Sequence, residues 1–81
     1  MKIPYYDNPG GPLTVTVKLR HQSNVFLVDE QNYRRYRSGN KFTYFGGNYR
    51  NTPVRITVNG QGRWYLIVDN GSGEPYQYGW S

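Results

Sequence analysis

Leu13–Arg20 alternates strictly between apolar and polar residues: every odd position is leucine or valine, and every even position is threonine or a cation. A two-residue period of this kind predicts a β-strand with one buried face and one wet face. Residues 54–58 (VRITV) show the same period. They follow Pro53, whose missing N–H is tolerated at the first position of a strand.

Two further segments are apolar on both faces. Asn24–Val28 (NVFLV) and Arg63–Asp69 (RWYLIVD) are the length of strands and rich in branched and aromatic residues. We expect both strands to be covered on both sides. The segment NGQG at 59–62 predicts a hairpin loop through which Arg63–Asp69 pairs back, antiparallel, on the strand before it.

The remaining strand predictions concern shorter segments. Met1–Tyr6 predicts a first strand, and 41–45 (KFTYF) predicts an aromatic strand that ends in a turn at the glycine pair 46–47. Residues 48–52 read as a polar loop, as do 7–12 and 69–75. A last strand holds alternating Tyr76, Tyr78 and Trp80. These six or seven short strands predict one all-β domain spanning 1–81, built as an antiparallel sandwich or small barrel.

One short helix interrupts this pattern. Asp29 has the side chain of an N-cap residue, and Glu30–Arg37 (EQNYRRYR) places Tyr33 and Tyr36 three residues apart on one helical face. The segment Ser-Gly-Asn at 38–40 supplies a stop, because glycine readily adopts a left-handed conformation after a helix.

Composition and charge narrow the class of protein. Without cysteine, the chain has no disulfides and depends on its nine tyrosines, three phenylalanines and two tryptophans for a core. No apolar run follows the N-terminal lysine, and no segment approaches the roughly 20 apolar residues that span a bilayer, so we expect a cytoplasmic protein without a membrane partner. The net charge is +5, and no acidic residue lies between Gln31 and Val68.

Cations and rings are interleaved in NYRRYRSGNK and in YFGGNYR. Such a pattern suits an anionic ligand, either nucleic acid or a nucleotide, because arginine binds phosphate and tyrosine stacks on bases. The residues predicted to bind the ligand are Arg34, Arg35, Arg37, Lys41, Tyr49 and Arg50. An alternative stays open, in which the tyrosines form core and the arginines a solvated rim.

Other chemistry has little support in the sequence. His21 is the only histidine and suits a surface turn, because a catalytic histidine needs orienting partners. The segment DNGSGE at 69–74 reads as a hairpin loop rather than a calcium site, and Gly46-Gly47 lacks the lysine of a phosphate-binding loop. We therefore expect no catalytic residue, no metal ligand and no cofactor, and a protein that is not an enzyme.

The residues of three segments, NVFLVDEQNYRRYRSGNKFTYFGG, PVRITV and GRWYLIVD, resemble a bacterial family described as domain of unknown function 1883. The matching positions within residues 13–69 are Asn24, Val25, Asp29, Asn32, Tyr33, Tyr36, Gly39, Gly46, Gly47, Pro53, Val54, Gly62, Trp64 and Asp69. Both termini look different from those of the family. The resemblance implies a small all-β domain without established catalysis. Members also occur beside TIR domains, which implies recognition in bacterial or phage immunity.

A second class of function remains open beside the anion-binding module. A small core without cysteine, together with many aromatic residues, also suits a protein-interaction or self-assembling module. Its contact would be an exposed sheet edge or the aromatic face of Tyr76, Tyr78 and Trp80, with a protein partner or a second copy of the chain.

Overall fold

The computed structural model describes residues 3–69 and 75–81, which form two antiparallel sheets and one helix. Their elements, in chain order, are β1 (Tyr5–Asn8), β2 (Pro12–Lys18), β3 (Ser23–Asp29), α1 (Glu30–Arg37), β4 (Phe45–Tyr49), β5 (Val54–Asn59), β6 (Gly62–Asp69) and β7 (Gln77–Trp80). The small all-β sandwich predicted from the sequence is confirmed, with the short helix at the predicted residues.

The two sheets face each other across the hydrophobic core. One has four strands in the order β1-β6-β3-β4, and the other has three in the order β5-β2-β7. From the three-stranded sheet, Val15 and Val17 are fully buried; from the four-stranded sheet, Val25, Leu27 and Leu66 are equally buried. The alternation in β2 therefore has the predicted cause, since its odd positions face the opposite sheet.

The four-stranded sheet is also covered on its outer face. Val28 of β3 and Ile67 of β6 point away from the core, yet they are only 1% and 3% exposed. The helix α1 packs over both strands. It begins at the predicted cap, where the Asp29 carboxylate accepts from the Asn32 N–H at 2.9 Å. The helix thus forms a third layer, and the prediction of strands covered on both sides is confirmed.

The predicted hairpin between β5 and β6 is wrong. Among the described strands, β5 pairs with β2 alone, whereas β6 pairs with β1 and β3, so the connection crosses from one sheet to the other. Both strands carry an apolar face, and on opposite sheets these faces bury each other; Ile56 and Leu66, for example, belong to one core cluster. Side by side in one sheet, they would leave that area to be covered by other residues.

A buried asparagine holds the crossing in place. The Asn8 side chain, 5% exposed, donates to the carbonyls of Gly11 at 3.0 Å and Gly60 at 2.8 Å. The Trp64 indole N–H also donates to the Gly60 carbonyl, at 3.2 Å. Asn8 therefore joins the turn before β2 to the connection before β6.

The glycine pair lies inside a strand rather than in a turn, which corrects the predicted strand 41–45 and the predicted loop 48–52. β4 begins at Phe45, and Gly46 and Gly47 pair with Phe26 and Val25 of β3. A Cβ atom at Gly46 would lie 2.0 Å from the Val25 carbonyl oxygen, and the φ angle there is +130°. Glycine is required because the two backbones approach each other closely.

Both ends of the chain also differ in detail from the prediction. β1 begins at Tyr5 and includes Asp7 and Asn8, which were expected in a loop, because these two residues pair with Arg63 and Gly62. The last strand is confirmed as β7. In the predicted loop 69–75, residues 70–74 lie outside the described residues, as do residues 1 and 2 of the predicted first strand.

The close approach at Gly46 predicts a large cost for any side chain there. Gly46→Ala should lower the free energy of unfolding by about 2–4 kcal/mol, because a Cβ atom forces β3 and β4 apart and strains φ. Gly79→Ala is the matched control, since a Cβ atom there meets nothing within 4 Å, and it should change stability by less than about 0.5 kcal/mol. Urea unfolding measures both, and equal stabilities of the two variants would contradict the role assigned to Gly46.

Candidate ligand-binding surface

Seven aromatic rings form a continuous set of contacts on the outer side of the four-stranded sheet. We call them the outer aromatic cluster. Its members are Tyr5, Phe26, Tyr33, Tyr36, Phe42, Tyr44 and Tyr65. They come from β1, β3, α1, the segment after α1, and β6.

The floor of the cluster, meaning its half-buried rings next to the sheet, is set by the alternation of side chains along β6. Tyr65 lies between inward-facing Trp64 and Leu66, so it points to the outer face, where Tyr33 of α1 stacks on it. The two ring centroids are 3.9 Å apart and the planes meet at 9°. Tyr5 is opposite Tyr65 in the pairing of β1 with β6, and its ring lies 6.0 Å from that of Tyr65. This stacking helps hold α1 on the sheet.

The segment between α1 and β4 supplies the other half of the cluster. Phe42 meets Tyr36 edge-on at 5.3 Å, and the ring of Tyr44 lies 4.4 Å from Phe26 of β3. The Asn32 side chain positions this segment, because its oxygen accepts from the Thr43 N–H at 2.8 Å. Side-chain hydrogen bonding thus replaces the regular strand that the alternation of 41–45 predicted.

Three rings of the cluster remain open to solvent. Tyr5 is 52% exposed, Tyr36 36% and Tyr44 45%. Tyr33 and Tyr65 are half-buried beneath them. The open alternative of the sequence, core tyrosines with a solvated rim, therefore describes only the floor of the cluster. Its exposed rings offer surface for a ligand.

Cations flank the rings on two sides. The Arg63 guanidinium lies over the ring of Tyr5 at 4.3 Å, and that of Arg37 lies 5.9 Å from the ring centre of Tyr33. Arg34 and Arg35 are exposed on the same short helix as Arg37. Arginine can hold such a position over a ring and still donate to an anion from the edge of its plane.

One carboxylate already engages Arg63. The side chain donates to Asp7 through Nε at 2.7 Å and through a terminal nitrogen at 3.2 Å. The hydrogen bonds from Arg63 lower the pKa of Asp7, and those between Arg63 and Asp7 raise the pKa of the guanidinium. Asp7 thereby orients Arg63 over Tyr5 and offsets part of its charge.

The six residues predicted to bind the ligand lie in two separate places in the structure. Arg34, Arg35 and Arg37 share α1, and Lys41 lies in the segment that follows, next to Phe42. The other two lie at the far end of β4: Phe45 pairs with Leu27, but Tyr49 pairs with Ser23, about 13 Å along the strand. Tyr49 also packs against the core between the sheets, and exposed Arg50 follows it.

Sequence reasoning missed Tyr5, Tyr44 and Arg63 as parts of this surface. Tyr5 and Arg63 lie far apart in the chain and meet only through the register of β1 with β6. One signal was present, because Arg63 and Tyr65 alternate with the inward-facing Trp64 and Leu66 and so share the outer face.

The described residues show no metal-ligating group of three or more histidine, cysteine or carboxylate side chains. Most of the loop weighed as a calcium site, residues 70–74, lies outside the described residues. At His21, the Ser23 hydroxyl donates to the main-chain carbonyl at 3.0 Å. No helix within residues 3–69 and 75–81 is long and apolar enough to cross a membrane.

The fold and this surface define a class: a small two-sheet domain with a helix and an aromatic, arginine-rich outer face. Comparison with family models identifies it further, because the model described as domain of unknown function (DUF1883) matches residues 10–76. The chain belongs to this family, which confirms the resemblance, and the match extends beyond residues 13–69 at both ends. Comparisons with curated proteins and with solved structures gave no match.

The pairing of Asp7 with Arg63 predicts a dependence on pH. Because the pKa of Asp7 lies below its ordinary value of 3.8, the pair stabilises the folded chain above about pH 4. This contribution is lost as the pH falls through the folded-state pKa. An NMR titration of the Asp7 carboxyl carbon should show the low midpoint, and Arg63→Met should return it towards 3.8.

Arg55→Met serves as the control for that titration, since Arg55 is exposed on β5 of the opposite sheet. It should leave the midpoint of Asp7 unchanged. An identical midpoint in the wild-type chain and in Arg63→Met would show that Arg63 is not the cause.

Proposed function

We propose that this protein is a non-enzymatic binding module for an anionic ligand that carries a flat ring, either nucleic acid or a nucleotide. The outer aromatic cluster carries this proposal, because it combines exposed rings with arginines held over or beside them. Base stacking and phosphate pairing need these two groups close together.

The charge of α1 supports the proposal. Its last turn holds Arg34, Arg35 and Arg37, and its single acidic residue is Glu30. Glu30 pairs with Arg34 at 3.2 Å, but both side chains are well exposed, so the pair contributes little and can exchange for a ligand phosphate. A net charge of +5 would also speed the encounter with a polyanion.

The biological role and the cellular location of the protein are also proposals. Recognition in bacterial or phage immunity is what the family resemblance implies, and a cytoplasmic location is what the sequence predicts. Of the residues proposed from the sequence, those on α1 and Lys41 fit the surface best, and Arg63 joins them. Tyr36 and Tyr44 take over the stacking part first given to Tyr49, which packs against the core.

Charge reversal on α1 tests the proposal. The double variant Arg34→Glu and Arg35→Glu should weaken binding of a labelled single-stranded oligonucleotide, because two phosphate contacts become repulsive. Fluorescence anisotropy across a salt series measures this. The slope of log affinity against log salt should fall by about 1.4, at about 0.7 for each lost phosphate contact.

The matched control is the double variant Lys18→Glu and Arg55→Glu. Both residues are exposed on the three-stranded sheet, and the pair makes the same change in net charge. It should retain the salt slope of the wild-type chain. Equal losses in the two double variants would mean that net charge, and not the α1 surface, drives binding. Absence of oligonucleotide binding by the wild-type chain at low salt would refute the proposed function in its nucleic-acid form and leave a nucleotide or a protein partner.

A second candidate function, contact with another protein or a second copy of the chain, rests on β7. This strand is an edge of its sheet, and Tyr78 is 48% exposed on it. Beside it, Trp80 packs against the core and stacks with Tyr6 of the other sheet at 5.6 Å. The aromatic face is thus partly core, with Tyr78 left as a contact residue.

Sedimentation from micromolar to millimolar concentration tests this candidate in its self-assembling form. An oligomer that Tyr78→Asp dissociates would support it, because a charge on the edge strand disfavours strand pairing and burial. Tyr44→Asp, which changes an equally exposed tyrosine in the segment before β4, is the control. A wild-type chain that is monomeric throughout would exclude self-assembly.

A further inference from the structure

We infer that the outer aromatic cluster reads single-stranded nucleic acid by stacking unpaired bases on Tyr5, Tyr36 and Tyr44. This inference rests on the proposed function and narrows its ligand. It excludes the duplex and the free mononucleotide as the main ligands, and it assigns binding to ring faces as well as to charge.

The spacing of the rings argues against a duplex. Phe42 lies between two of the proposed stacking rings, with its centroid 5.3 Å from that of Tyr36 and 5.5 Å from that of Tyr44, and its plane is inclined to theirs by 75° and 49°. Stacked bases in one strand of a duplex are about 3.4 Å apart. Bases that lie on this surface must separate from one another, which a single strand permits and a paired, stacked helix resists.

The distribution of rings argues against a lone nucleotide. The three exposed rings are spread over β1, α1 and the segment before β4, and they do not line one enclosed pocket. A single base covers one ring and leaves the other two exposed to solvent. A chain of nucleotides uses several, and each additional stacked base adds to the affinity.

Charge is spread along the same surface. Arg63 lies beside Tyr5, whereas Arg37 lies against Tyr33, which is a neighbour of Tyr36. A strand that crosses the cluster would therefore meet one cation at the Tyr5 end and a second near the middle, beside Tyr33. The open concavity next to the start of α1, about 220 Å³ in volume, is lined by Asp29 and Glu30 as well as Arg63. Its carboxylates disfavour a phosphate there and leave the rings as the ligand surface.

The first experiment uses the wild-type chain alone and compares four labelled probes of equal length. These are oligo(dT), the RNA oligo(U), an abasic deoxyribose-phosphate chain, and a duplex. We expect one or both of the base-carrying single strands to bind at least about tenfold more tightly than the abasic chain, because a stacked base adds that much affinity. The duplex should bind more weakly than the single strand, although it carries more charge.

The second experiment removes single rings. Tyr36→Leu and Tyr44→Leu should each weaken oligo(dT) binding by about 5- to 150-fold, with little effect on the abasic chain. The matched control is Phe45→Leu, which removes an equally exposed ring that contacts Trp64 and lies outside the cluster, and it should bind like the wild-type chain. Circular dichroism checks that each variant folds. If a variant does not fold, the first experiment still tests the inference, because it uses only the wild-type chain.

The outcomes separate this inference from the proposed function. Equal affinity for oligo(dT), oligo(U) and the abasic chain would overturn base stacking, yet binding that still depends on Arg34 and Arg35 would preserve an anion-binding module. Tighter binding of the duplex would also overturn the inference. If no probe binds, the proposed function fails as well in its nucleic-acid form.

Discussion

The two central strands of the larger sheet, β3 and β6, are apolar on both faces, and the layers around them follow from this constraint. Leu27 and Leu66 face the smaller sheet, while Val28 and Ile67 face outwards and are just as deeply buried. An uncovered outer face would cost roughly 25 cal/mol for each Å² of apolar area left in water. The helix and its neighbouring aromatic segment supply that cover, and the candidate surface lies on top of it.

Local signals predicted much of this fold, because they depend on neighbouring residues alone. The alternation of β2, the two-faced apolar pattern of β3 and β6, and the cap at Asp29 all correspond to observed structure. Partners in the sheets were harder to predict. The segment NGQG fits a hairpin loop and a crossing between sheets equally well, and the side chain that decides between them, Asn8, is 52 residues away from Gly60.

For the candidate surface as well, local features could be predicted from the sequence, whereas features that depend on strand pairing could not. Arg34, Arg35 and Arg37 could be grouped from the sequence because they lie close together in one helix. Tyr49 was assigned to the ligand because the strand was expected to span residues 41–45, which would place Tyr49 in a loop after it. With the observed register, Tyr49 shares the inner face with Phe45 and Gly47 and packs on the core. A shift of a strand along the chain thus changes which residues can reach a ligand.

Because the chain is made from its N-terminus, the pairing of β1 with β6 is delayed during translation. β1 leaves the ribosome before the other described strands, yet its partner among them, β6, follows four strands and the helix. β3 likewise lacks one of its two partners until β6 is synthesised. The nascent larger sheet therefore keeps unpaired strand edges until β6 is synthesised, and during that interval such edges are open to aggregation and to chaperones.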